Sequence, residues 1–264
     1  MIYTYCAKTD TGRARDNNED SVAYDEATNT AVLADGMGGY NAGEIASGMA
    51  TAFIKSELSR WLSGANGLAS HKEVRRAMEI CVGNANLSIY NAAISNPHYA
   101  GMGTTLVAGV FYGDVLMLGH IGDSRCYRVR AGLMEQITRD HSLLQEQIDA
   151  GLVTPEQALH SNIKNLVTRA LGVEEAVLLE VNEHPVQPGD IYMMCSDGLS
   201  DMVADAEIGK ILDSPLELAD RATALIDAAN AAGGRDNISV LIVEVGEQTE
   251  KKGLIARLLG KKLP

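Results

Sequence analysis

Four apolar runs in this 264-residue chain begin or end near an aspartate that stands beside glycine or a turn, and that recurrence constrains the fold more than any other feature. The first is Val32-Leu33-Ala34-Asp35-Gly36-Met37-Gly38-Gly39, where a strand-like run delivers a carboxylate and a glycine-rich turn follows. Glycine lets a backbone turn tightly and come close to a ligand, because no Cβ intervenes. Asp123 follows Val115–Ile121 across Gly122, Asp197 follows Ile191–Cys195 ahead of Gly198, and Asp236 precedes the run Ile238–Val245. A single aspartate at a strand border is ordinary turn chemistry. Four of them ask for an architecture in which strand ends converge.

The pattern between these points supplies one. Alternation and apolar runs predict strands over Ile2–Thr9, Ser21–Tyr24, Ala31–Ala34, Thr104–Val110, Val115–Ile121, Cys126–Val129, Val177–Val181, Ile191–Cys195 and Ile238–Val245. Asn41, three residues before Glu44, reads as the cap of a helix running to about Leu62. A second helix is expected over His71–Ser95, a capped start at Thr154-Pro155-Glu156-Gln157, and a further helix from the box Ser214-Pro215-Leu216-Glu217 to about Ala232. Short strands at hairpin spacing, interrupted by paired long helices, point to an α+β fold of antiparallel sheets covered by helices.

Composition narrows the function. The net charge is −13, and the segment from Glu250 onward is basic, so the body before it stands at −17. Such a surface is no general nucleic-acid binder. Clustered acids favour cations, and an anionic substrate then needs local positive charge. Cys6, Cys81, Cys126 and Cys195 are scattered without a CxxC pair, which reads as small buried residues in a reducing compartment. The start of the chain shows no signal-peptide pattern and no apolar run approaches ~18 residues, so a cytoplasmic location is expected.

Convergent carboxylates raise each other's pKa and are tolerable only with cations among them. An oxygen-only ligand set suits Mg²⁺ or Mn²⁺. Two such ions sharing a carboxylate sit ~3.5–4 Å apart and activate water for in-line displacement at phosphorus. Arg15, in the polar loop Asp10–Asp20, brings a guanidinium whose fork matches two phosphate oxygens.

Taken in order, Arg15-x-x-Asn18-Glu19-Asp20, Asp35-Gly36-Met37-Gly38-Gly39, Gly103-Thr104-Thr105, Gly122-Asp123-Ser124-Arg125, Ser196-Asp197-Gly198 and Arg235-Asp236-Asn237 resemble the motifs of the metal-dependent protein phosphatases of type 2C, in their compact bacterial branch. The resemblance covers about residues 1–246, implying one catalytic domain with a basic tail over 247–264. It implies an α-β-β-α four-layer sandwich, two antiparallel sheets flanked by helix pairs. It further implies hydrolysis of phosphoserine and phosphothreonine in proteins with two Mn²⁺ or Mg²⁺ ions and room for a third. By motif, Asp35 bridges the two ions and Gly36 offers its carbonyl. Asp197 and Asp236 complete the ligand set, Asp20 and Glu19 act through water, and Asp123 with Asp197 matches a third metal site. Arg15 holds the substrate phosphate, and residues 138–172 correspond to a variable flap. Expected partners are phosphorylated proteins and the opposing serine/threonine kinase, met by a monomer whose basic tail reads either as a frayed solubilising end or as a docking segment for an acidic partner or a membrane surface.

Some relatives carry His after the Asp-Gly pair as a proton donor, where this chain has Met37. The leaving-group proton is then expected from water at the metals, with His141 as the side-chain alternative; His141 otherwise orders the flap, and His120 reads as a partly buried strand residue. A cysteine-dependent phosphatase needs Arg six positions after its Cys, and Gly12, Leu87, Gly132 and Asp201 stand there. GxxxxGK[ST] is absent, which excludes a P-loop hydrolase. The competing reading from another class is a non-catalytic phosphoprotein-binding module on the same scaffold.

Overall fold

The computed structural model describes residues 1–39, 42–158 and 166–247. One sheet runs, in spatial order, β1 (Ile2–Asp10), β11 (Ile238–Gly246), β10 (Ile191–Cys195), β7 (Arg125–Arg130) and β8 (Leu133–Gln136). The other runs β2 (Asp20–Asp25), β3 (Thr30–Met37), β5 (Leu106–Tyr112), β6 (Val115–Ile121) and β9 (Glu180–Pro185), with the short β4 (Gly103–Thr104) paired to the end of β3. The paired strands are antiparallel.

Period-two alternation sorts the strand residues into layers. Leu33, Phe111, Leu118, Tyr192 and Leu241 meet between the two sheets. Their neighbours Val32, Ala34, Ala108 and Met117 point the other way, onto α1 (Ala42–Ala65) and α2 (His71–Ser95). Met193, Val240 and Ile242 likewise pack on α5 (Asp197–Ser200), α6 (Asp205–Leu212) and α7 (Leu218–Ala231). Strands buried on both faces explain why the sequence shows apolar runs where a half-exposed sheet would alternate. Each fully buried Leu, Ile or Val side chain contributes about 1.5–3 kcal/mol. The result is the expected α-β-β-α sandwich, with α3 (Leu143–Asp149) and α4 (Pro155–Ala158) between β8 and β9.

Helix α2 has the bounds its sequence predicts because Ser70 builds a capping box: its hydroxyl accepts from Glu73 N–H and the Glu73 carboxylate accepts from Ser70 N–H. Thr154 and Gln157 exchange the same two bonds ahead of α4. The box expected at Ser214 does not form. Its hydroxyl donates back to Ile211 O at the end of α6, and α7 starts at Leu218 with Glu217 as its cap. The expected cap at Asn41 lies outside the described residues, as does 248–264. Strand β9 begins three residues later than expected, because Asn86 on α2 holds the carbonyls of Glu174 and Glu175 in a loop.

Register puts the four acids at one end. Asp20 faces Asp35 across β2–β3, Leu106 faces Ile121 where β6 ends, and Cys195 faces Val240 where β10 approaches the start of β11. All four borders therefore open onto the same end of the sandwich. Asp35 is not at a strand tip: β3 continues through Gly36 and Met37, which pair with Thr104 and Gly103.

Candidate active site

Asp35 is fixed by its backbone. Its carbonyl accepts from Thr105 N–H and from the Thr104 hydroxyl, both at 2.9 Å, and its own N–H donates to Thr105 Oγ1 at 3.0 Å. Thr105 Oγ1 also meets Ser124 Oγ at 2.7 Å, tying the Asp35 strand to the turn that carries Asp123. The glycine after Asp35 is there for approach, not for a turn. A Cβ on Gly36 would overlap the carbonyl oxygens of Gly43 and Glu19, so β3 could not lie against the start of α1. Gly198 is needed for the same reason, since its Cβ would strike the Asn237 carbonyl.

Asp197 occupies the first turn of α5. Asp20 reaches the preceding residue, Ser196, from the opposite sheet's side of the cleft: its Oδ2 accepts from Ser196 Oγ at 2.8 Å. Asp20 Oδ1 is buried and has no hydrogen-bond partner among the described residues. Asp236 sits nearer the rim, where its Oδ2 accepts from Arg15 at 2.7 Å. Arg15 is half exposed there, with 53% of its side chain open to solvent.

The electrostatics show that these acids share one volume. Burial pushes Asp35 well above the carboxylate range, and the charges of Asp20, Asp197, Asp123 and Asp236 push it further. Asp197 is raised in the same way, by burial and then by Asp123 and Asp236. Asp20 is pushed up to about 6, chiefly by burial. Asp123, only 8% exposed, also rises to about 6 through burial and the nearby Asp140. Glu19 is raised by burial beside the first turn of α1, against the pull of Arg15.

These residues fit hard divalent cations. The donors are all oxygens, the carboxylates destabilise one another when ionised, and Asp20 carries a buried oxygen without a hydrogen-bond partner among the described residues, which a cation would satisfy. A cleft of about 430 Å³ opens beside them between α3 and α6, lined by Asp123, Asp197, Asp201, Leu144 and Ile148. A larger cleft of about 730 Å³ between α1 and α2 shares no residue with the acids.

The proton donor remains as the sequence left it. Met37 is half-buried and has no exchangeable proton. His141, the side-chain alternative, has both ring nitrogens engaged: its Nδ1 accepts from Gly122 N–H and its Nε2 meets Glu180, so neither is free for a leaving group. His120 is fully buried, more deeply than the sequence suggests.

The acids' supports are what sequence reasoning passed over. Asn237 is the clearest. Its side chain accepts from Glu19 N–H at 2.8 Å and donates to the carbonyls of Thr11 and Asn17, so one buried amide holds the Arg15 loop against β11. Thr104, Thr105, Ser124 and Ser196 do comparable work. Ser124 and Ser196 adjoin an acid in the quoted motifs and Thr104 and Thr105 form a quoted motif of their own, which is the signal that could have found them.

A family model described as protein phosphatase 2C matches residues 11–238. The serine/threonine phosphatase Stp of Listeria innocua is 38% identical over 240 residues, covering 90% of this chain and 94% of its own. The crystal structure of the Mycobacterium tuberculosis serine/threonine phosphatase PstP superposes with a TM-score of 0.84 at 37% identity, over 94% of this chain and all of that one. A structure of the PstP catalytic domain in complex with two manganese ions gives a TM-score of 0.80 at 37% identity, over 93% of this chain and 99% of that one. With its acids gathered at one end of a four-layer sandwich and this likeness along nearly its whole length, the chain belongs to the protein phosphatase 2C family.

Proposed function

We propose that the chain hydrolyses phosphoserine and phosphothreonine in proteins with Mn²⁺ or Mg²⁺, the observation that carries the reading being the convergence of Asp35, Asp20, Asp123, Asp197 and Asp236 around an orphaned carboxylate oxygen. In this reading Asp35, the Gly36 carbonyl, Asp197 and Asp236 would hold two ions, with Asp35 shared between them. Asp20 and Glu19 act through water, and Asp123 with Asp197 offers a third position. Bound Mn²⁺ or Mg²⁺ supplies Lewis acidity toward phosphoryl oxygens and makes water a competent nucleophile near neutral pH.

The chain's own contribution is position and charge. Thr104 and Thr105 fix Asp35 before substrate arrives, so little reorganisation is needed when it acts. Arg15 donates from Nη2 to Asp236, the rim acid. Half exposed at the rim, the Arg15 guanidinium is in position to meet a phosphate entering over the acids. Ser142 and Leu144 line the cleft beside the acids, which supports reading 138–172 as a flap that takes part in substrate choice.

The reading rests further on retention of every acid, which argues against a non-catalytic module. Residues 1–246 are taken as the catalytic unit. The finer assignments, a cytoplasmic monomer opposing a serine/threonine kinase with a basic tail over 247–264 that contacts a partner or membrane surface, belong to the same proposal. The unpaired cysteines support the reducing compartment. Among the described residues no helix is long and apolar enough to cross a membrane.

The direct experiment is phosphate release from a phosphothreonine peptide. Turnover with Mn²⁺ that EDTA abolishes is expected, and equal turnover in EDTA would overturn the mechanism. Arg15→Ala should raise KM for that peptide about tenfold with a smaller change in kcat, in line with about 1.5 kcal/mol for a charge-assisted hydrogen bond at a half-exposed site. An unchanged KM would remove Arg15 from phosphate binding.

A further inference from the structure

The turn carrying Asp123 is held at both ends by two consecutive residues at the base of the flap. On its far side, Arg125 grips Asp140, with Nη2 donating to Oδ2 at 2.7 Å and Nε reaching both carboxylate oxygens at 3.1 Å. On its near side, His141 takes Gly122 in a reciprocal pair. His141 N–H donates to the Gly122 carbonyl at 2.8 Å, and Gly122 N–H donates to His141 Nδ1 at 3.2 Å. Gly122 has φ +100°, a conformation other residues avoid, so the turn needs such a hold.

The ring that makes this contact is itself set from behind. Because Nδ1 accepts, the neutral ring carries its proton on Nε2, which donates to Glu180 Oε2 at 3.1 Å. His120 stacks on the ring with centroids 4.7 Å apart and planes 16° from parallel. His120 Nε2 donates to the Arg139 carbonyl at 2.8 Å, and His120 and Glu180 are facing partners across β6–β9. The returning leg of the flap joins the same residue, since Thr168 N–H donates to the His141 carbonyl. His141 is 7% exposed, so its orientation, tautomer and backbone are all determined by the fold.

We propose that His141, oriented by Glu180, is a positioning residue that holds the Gly122–Asp123 turn so that the Asp123 carboxylate faces Asp197, linking the flap to cation binding at that corner. The proposal rests on the reading of Asp123 as a cation ligand. Side chains behind a ligand commonly set affinity by 10–100-fold. A rival use of the same trio exists, because potential ligand atoms of His120, His141 and Glu180 lie within 4.8 Å of one another. The hydrogen bonds disfavour it. With Nδ1 taken by the Gly122 amide, a neutral His141 has no lone pair left at Nε2 for a metal.

The test separates the two nitrogens. His141→Asn places an amide oxygen near the Nδ1 position, where it can accept from Gly122, and gives up Glu180. His141→Gln reaches toward Glu180 and offers nothing to Gly122. Bound Mn²⁺ is counted by electron paramagnetic resonance in the full chain, with Asp123→Asn as the reference. Asp123→Asn is expected to lose the weakest Mn²⁺ step. His141→Gln should weaken that step about 10–100-fold, while His141→Asn stays within about threefold of the parent chain and KM for peptide at saturating Mn²⁺ is unchanged in both.

Parent-like Mn²⁺ binding in His141→Gln, or equal weakening in both His141 variants, overturns the proposal while leaving Asp123 a ligand. Unchanged binding in Asp123→Asn instead removes the reading on which the proposal rests. An ion lost in Glu180→Ala but kept in Asp123→Asn would make the trio a cation site and also overturn it. Should the variants not fold, ¹⁵N resonances of the parent chain decide. An unprotonated His141 Nδ1 is expected, and a protonated one contradicts the hold on Gly122.

Discussion

Asp35→Asn is expected to lower kcat/KM on a phosphothreonine peptide by about 10²–10³-fold or more, the scale of losing a preorganised electrostatic group, and to raise the thermal midpoint of the protein in EDTA. The two effects have one cause. Asparagine keeps the shape of the side chain and the backbone bonds to Thr104 and Thr105, so the fold is preserved. What disappears is the charge nearest the other acids. In the proposed reading that charge joins two cations, and its loss uncouples them. Without cations it only repels Asp20, Asp197, Asp123 and Asp236. Steady-state kinetics with Mn²⁺ and thermal melts in EDTA measure both. Parental activity contradicts the bridging role, and a lower midpoint in EDTA contradicts the repulsion.

The acids were legible in the sequence because their setting repeats: an apolar run, an aspartate, a glycine. So were the layers, since runs such as Val32–Ala34 and Ile238–Val245 mark strands covered on both faces. Other features depended on partners distant in the chain. Asp35 looked like a strand tip because nothing local announces that Gly103 and Thr104 extend β3 by pairing with Met37 and Gly36. Gly36 looked like turn chemistry, yet its small size serves Gly43 and Glu19, a contact visible only once α1 is placed. The Ser214 box satisfied a local rule and lost to the end of α6, which claimed the hydroxyl first. Helix α6 and strand β8 went unread, being short and of mixed pattern. Asn237 stood inside a quoted motif without a role, because its three partners lie more than two hundred residues away.

Metal-free protein is expected to lose stability as pH rises from about 4 past 6, and Mn²⁺ should restore it. A carboxyl whose pKa is raised by folding stays protonated in the native state while the unfolded chain ionises. The native state therefore binds more protons between the two pKa values, and stability falls as pH climbs through that window. Asp20 and Asp123 move from 3.8 to about 6, and Asp35 and Asp197 are raised in the same direction. Two pKa units correspond to about 3 kcal/mol for one group, and in a domain of this size 1 kcal/mol moves the midpoint by about 2–4 °C. The coupled acids together should shift it by on the order of 10 °C. Asp10, Asp25 and Asp190 carry lowered values and act in the opposite sense, but their window lies below the ordinary carboxylate range. His141 and His184, also lowered, add stability as pH rises toward 6.5, which opposes the acids within the window. The decisive quantity is accordingly a difference. Midpoints with saturating Mn²⁺ minus midpoints in EDTA should widen steadily from pH 5 to 8, because cations stabilise by mass action and compete with protons for the same oxygens. Asp35→Asn should flatten that difference, since it removes both the repulsion and the oxygen charge the cations share. A difference independent of pH in the parent chain would mean that the buried acids do not ionise against one another, and the cation reading of the site would lose its physical basis.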